Sequence, residues 1–268
     1  MAEETPPMKT ERSVRMNRNL VTAIIFLPLF SAGLCAQDST IRNTIPPPAG
    51  YSRVSYPAGS YADWIQNLPL KNSKVIISYS ADTIRVAWGD GGSTYRIFAV
   101  VKMPLLFRAD LEQCADFAMR FWAEYHRQTN RLDKLYLFNY SGQRQMFAAS
   151  GLTFTRFVKR AFANSNSFSL KKGCAEVADS LLAPGDMFVQ NQSGGIGHVS
   201  VIVDACTSDR GDRLFLVGYS FMPAQEFHIE KADSEYGIGG WFTFEGYKKY
   251  LKDNLDFGAP MLRRFKPL

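Results

Sequence analysis

Residues 194–204 read GGIGHVSVIVD: glycines on both sides of one isoleucine, then a histidine, then a run rich in β-branched residues. Alternation predicts a strand with Val199, Val201 and Val203 on one face and His198, Ser200 and Ile202 on the other. Gly194, Gly195 and Gly197 carry no side chain and leave room for another backbone or a substrate to come close. His198 is one of only three histidines in the chain and stands at the mouth of this strand beside a small polar neighbour. That is the pattern of an accessible imidazole. The plain alternative is a ring satisfied by a loop carbonyl.

Working outward, Arg213 to Tyr219 reads as a second strand, joined antiparallel to the first through CTSDRGD. LAPGDMFVQ offers a turn followed by a buried strand from Met187 to Val189. Upstream, Asp110 to Gln128 (DLEQCADFAMRFWAEYHRQ) is the clearest helix, with Asp110 as cap and Gln113 completing a capping box. Its apolar stripe runs through Leu111, Cys114, Ala118, Phe121 or Trp122, and Tyr125, and Asp116 is spaced to pair with Arg120. SYADWIQNLPL is a short helix capped by Ser60, KLYLFNYS a strand, LTFTRFVKRAFA and GCAEVADSLL helices, WFTFEGYKKYL a helix, and GAPMLRRFKPL an extended tail. TIRVAW and STYRIFAVV flank Gly89–Gly92 as a hairpin. β-Branched and aromatic residues follow those glycines where a phosphate loop would need a helix, so no cofactor is expected. Helices and antiparallel strands are segregated along the chain, which predicts the α+β class.

The N-terminus reads as a targeting segment. Leu20 to Ala36 is apolar, preceded by Arg12, Arg15 and Arg18 and followed by polar residues, as in a secretory signal peptide over residues 1–36. Residues 37–50 then form a polar, proline-rich extended leader, and 51–268 a single α+β domain. The apolar run is too short for a stable membrane span, and Leu34 before Cys35 disfavours a lipoprotein anchor. Export to the periplasm or cell envelope is the expectation. Removing residues 1–36 lowers the net charge from +6 to +5, and the basic residues form no continuous stripe, which excludes nucleic acid as an expected partner. Cys114, Cys174 and Cys206 remain, an odd number in an oxidising compartment, so at least one thiol is unpaired.

Three chemistries could employ His198. A metal site would need further ligands at suitable spacing, and His126 and His228 supply neither HxxxH nor a CxxC partner, so no metal is expected. A serine nucleophile would want GxSxG, which is absent. Cysteine is left: Cys114 lies in the first turn of a capped helix, where free backbone N–H groups favour a thiolate, and an imidazole could take its proton. Pairing the two strands about CTSDRGD brings His198 near Ser220, with Gln225 in reach, and either could orient the ring. A buried structural cysteine is the competing reading of Cys114.

At these residues LAPGDMFV followed by GHVSVIVD resembles the glycine-aspartate and histidine strands of the NlpC-type and CHAP-type peptidoglycan hydrolases. The resemblance implies a papain-like core with an antiparallel sheet and a cysteine-bearing helix ahead of it. The family's usual Asp-Cys-Ser-Gly signature is replaced by Gln113-Cys114-Ala115-Asp116. Over residues 46–268 the chain is more closely similar to the bacterial domain-of-unknown-function family 4846, in SYADWIQNLPLK, DLEQCADFAMRFWAEY, PGDMFV with GHVSVIVD, and YSFMPAQEFHI. In that likeness Cys114, Asp116, Arg120, Glu124, His198, Ser220, Pro223, Gln225 and His228 fall on motif positions, whereas Cys174 and Cys206 do not. The expected function is a cysteine-dependent hydrolase of amide bonds in cell-wall peptides, with Cys114 as nucleophile, His198 as base and Ser220 or Gln225 as orienter. The alternative is a non-catalytic envelope protein that binds a peptide or glycan or serves a structural role.

Overall fold

The computed structural model describes residues 39–84 and 95–268. The signal segment, Cys35 and the Gly89–Gly92 turn lie outside the described residues.

The chain opens with α1 (Ile41–Thr44), where Thr40 accepts the Asn43 N–H as cap, then β1 (Tyr51–Arg53) and α2 (Tyr61–Gln66), capped by Ser60 as its sequence predicts. Residues 41–45 were expected in an extended leader, yet Ile41 and Ile45 are buried in the core. Two short strands follow, β2 (Ile76–Ile77) and β3 (Thr83–Ile84), paired with each other, and then β4 (Ile97–Val100). The long helix α3 is Cys114–Gln128. β5 (Tyr136–Phe138) and β6 (Arg144–Met146) form a separate two-stranded ribbon, followed by α4 (Phe154–Ala163) and α5 (Ser167–Gly173). The helix expected over GCAEVADSLL is instead β7 (Ala175–Glu176) and a single 3₁₀ turn at Asp179–Leu181. β8 (Met187–Gln190), β9 (His198–Ser208), β10 (Arg213–Tyr219), β11 (His228–Glu230), β12 (Gly237–Ile238) and β13 (Trp241–Thr243) come next, then α6 (Phe244–Asn254) and β14 (Met261–Arg264).

Ten strands make one antiparallel sheet in the order β12-β13-β10-β9-β8-β14-β7, with β1 paired to β9 and β11 bridging β10 and β4. The fold is therefore α+β with an antiparallel sheet. β9 pairs with β8 from Gln190↔His198 to Met187↔Val201 and with β10 through the expected tight connection.

The sheet is apolar on both faces. On one, Val199, Val201 and Val203 pack with Phe117, Phe121 and Trp122 of α3 and with Phe227 and Ile229. On the other, Ile202, Phe215, Val217 and Tyr219 pack with Tyr247 and Leu251 of α6. Burying one such valine is worth about 1.5–3 kcal/mol, so the three valines alone strongly favour seating α3 on their face. Among the described residues, no helix is long and apolar enough to cross a membrane.

Candidate functional site

Cys114 is the first residue of α3, three positions nearer the helix start than a helix from Asp110 would place it. Asp110 stays outside the helix, accepting from the Gln113 side chain at 3.0 Å and from the Ala224 N–H at 2.6 Å. The N-terminus is closed by Asp116, whose Oδ2 accepts the Gln113 N–H at 3.0 Å. Its Oδ1 has no partner, and burial drives the carboxyl well above the ordinary aspartate range. The Asp116–Arg120 pair expected from spacing is not formed. Arg120 instead joins Glu112 and Glu124, the latter at 3.1 Å, and Arg127 adds a second cation to Glu124 at 2.6 Å. Glu112 also accepts the backbone N–H groups of Leu106 and Phe107, anchoring the segment ahead of the helix.

The Cys114 thiol donates to the Gly197 carbonyl at 3.9 Å. Burial pushes it up to about 12, opposed by the Val199 N–H beside the sulfur and reinforced by Asp116. The sulfur thus sits against the backbone of β9, on either side of His198 in sequence.

The His198 side chain leaves that backbone in the opposite direction. Its ring packs against Tyr219 at 5.0 Å between centroids, Phe221 at 5.7 Å and Phe257 at 6.0 Å. It is fully buried, and neither ring nitrogen has a hydrogen-bond partner, so the Cys114–His198 pairing expected from sequence is not formed. The physical reason is strand alternation: the valine face meets α3, which turns the histidine toward α6. Burial and the neighbouring His228 lower the imidazole to about 3, and it is neutral.

Ser220 and Gln225 are brought together, but away from the imidazole. The Ser220 hydroxyl bonds the carbonyls of Gln225 at 2.6 Å and Glu112 at 3.3 Å, tying the loop after β10 to the segment before α3. Gln225 donates to the Tyr95 hydroxyl at 3.2 Å. Neither residue orients His198.

Around His198 lies a buried polar cluster that motif reading missed. Glu230 receives the Tyr219 hydroxyl at 3.1 Å and lies 3.2 Å from His228 Nε2, and Tyr219 is 2.7 Å from the Tyr250 hydroxyl. The signal was present in QEFHIE, where period 2 places His228 and Glu230 on one face.

On the α3 side, Cys114 and Asp116 line an open cleft of about 510 Å³ with Asn166, Ser167 and the Gly194–Gly197 loop. The loop's closeness is enforced at Gly197, where an added Cβ would stand 2.3 Å from the Gln190 carbonyl and 2.5 Å from Ser167 Oγ. Among the described residues Cys114, Cys174 and Cys206 are all free and buried.

A family model described as Domain of unknown function (4846) matches residues 41–151 and 142–264. No curated protein and no solved structure matches the chain.

Proposed function

The chain belongs to the domain-of-unknown-function 4846 family, and from that premise and the geometry at α3 we propose an exported cell-envelope protein that binds a peptide of the cell wall in the Cys114–Asp116 cleft without cleaving it. We read the core as papain-like in layout, a cysteine-headed helix laid on an antiparallel sheet, with its histidine turned to the far face. The observation that carries the reading is that the Cys114 sulfur meets the Gly197 carbonyl while neither His198 ring nitrogen has a hydrogen-bond partner, its ring packing on Tyr219, Phe221 and Phe257. The thiol then lacks a base in reach and, held at about 12, stays protonated. What the cleft does offer is recognition: the unpartnered oxygen of Asp116, the Asn166 and Ser167 side chains, and a side-chain-free glycine loop against which an extended backbone can lie.

The cysteine-hydrolase reading keeps one supporting observation, the position of Cys114 at the head of α3 in an open cleft. One experiment separates the two. The full chain is mixed with a disaccharide-tetrapeptide muropeptide, binding is followed by calorimetry, and the muropeptide is examined by mass spectrometry. The expected result is binding with an intact ligand, retained in Cys114→Ser and weakened roughly tenfold or more in Asp116→Ala, the scale of one lost buried hydrogen bond. Cleavage that disappears in Cys114→Ala would establish the hydrolase instead. No binding by the folded wild type would remove both readings.

A further inference from the structure

A second concavity lies away from the cysteine cleft. Between the β5–β6 ribbon and α4 runs a groove of about 600 Å³, within the ~300–1,000 Å³ range of small-ligand sites. Its floor is apolar, built from Phe138 and Phe157, both anchored in the core, with Met146 and Leu152 beside them. Arg144 and Arg160 line it, and neither forms an ion pair among the described residues. The Arg144 guanidinium lies over the Tyr136 ring at 4.3 Å, a cation–π contact that holds it at the edge of the groove.

The surrounding chain is biased the same way. From Lys134 to Ala175 there are seven basic residues (Lys134, Arg144, Arg156, Lys159, Arg160, Lys171 and Lys172) and no aspartate or glutamate. Of the acids that bracket the segment, Asp133 and Glu176, the latter pairs with Arg263 at 3.2 Å. A groove with two uncompensated guanidiniums on an apolar floor, in an acid-free stretch, is complementary to carboxylates joined by an apolar group. The Gln145 and Asn164 amides along it suit a peptide backbone. Its concavity fits a short chain better than a flat bilayer surface.

We propose that the groove between the β5–β6 ribbon and α4 is a binding site for a short acidic peptide, its carboxylates held by Arg144 and Arg160 and an apolar side chain seated between them. This site is independent of the cleft at α3. Fluorescein-labelled Glu-Leu-Glu-Phe amide, with Gln-Leu-Gln-Phe amide as control, is titrated into the full chain and followed by anisotropy. The acidic peptide binds, while the Arg144→Gln/Arg160→Gln double variant and the uncharged control each bind roughly tenfold more weakly or worse, since charge-assisted hydrogen bonds are lost. Both arginines are exposed, so the double variant keeps the wild-type thermal midpoint; Asp116→Ala, in the other cleft, leaves this affinity unchanged. Equal binding of the two peptides, or equal binding by wild type and double variant, overturns the proposal. So does arginine-dependent binding to phosphatidylglycerol vesicles or polyphosphate that exceeds binding of the acidic peptide.

Discussion

His198 is the residue on which sequence and structure diverge most, and its burial has a measurable consequence. An unfolded-chain histidine takes a proton near 6.5, whereas burial holds the folded imidazole neutral down to about 3. Between those values the unfolded state binds the extra proton, so this residue's contribution makes stability fall as pH falls through the window and is absent above it. The buried carboxyls Asp116 and Asp204, raised by burial, act in the opposite sense, and a substitution isolates the histidine. Urea unfolding from pH 7 to 4.5 will show a smaller acid loss in His198→Leu than in wild type, the two curves separating by up to ~1.4 kcal/mol per pH unit below 6.5. Cys114 makes a second prediction. With its thiol at about 12 against ~8.5 for a free cysteine, alkylation by iodoacetamide at pH 8 will be at least ~100-fold slower than that of a free-thiol peptide. Rapid labelling of Cys114, identified by mass spectrometry, would show an activated nucleophile after all.

Among the elements, α3 is held by charge as well as by its apolar stripe. Arg120, Glu112 and Glu124 are nearly inaccessible, and removing the cation leaves two buried carboxylates facing each other. Arg120→Ala is expected to cost about 3–5 kcal/mol, read as a lower urea midpoint, whereas truncation of exposed Arg127 costs under ~1 kcal/mol. The sequence spacing pointed to Asp116 as the partner of Arg120, and that failed for a local reason: Asp116 at the third helical position is already taken by the Gln113 N–H. Long periodic elements, α3 and the β9–β10 hairpin, were legible because their pattern repeats over several turns or pleats. GCAEVADSLL was not, because residues 175–176 pair with Arg263 and Arg264 of β14, a partner far along the chain.

At the scale of the molecule, both faces of the sheet are buried and the N-terminal segment helps close one of them. Ile41 and Ile45 lie in the α3-side core, Arg53 and Gln66 reach the buried Asp204 at 2.7 and 2.5 Å, and the Trp241 indole donates to the Pro46 carbonyl at 3.2 Å. Polarity and proline content predict an extended leader over residues 37–50. Residues 41–45 instead belong to the body, and Ile41→Ala is expected to destabilise the whole domain by about 2–5 kcal/mol in equilibrium unfolding, the cost of a core cavity. An unchanged midpoint would mean that this segment does not contribute to the cooperative unit.

By itself the sequence determined the α+β class, the long helix with Cys114 near its start, and the alternation that sets Val199, Val201 and Val203 against His198. Only the tertiary structure decided which face of that strand meets the helix. Seating three valines against α3 is worth several kilocalories per mole, while one thiol–imidazole hydrogen bond is worth about one. Local spacing records which residues share a face, but not which neighbour that face will meet, since the neighbour arrives from a distant part of the chain.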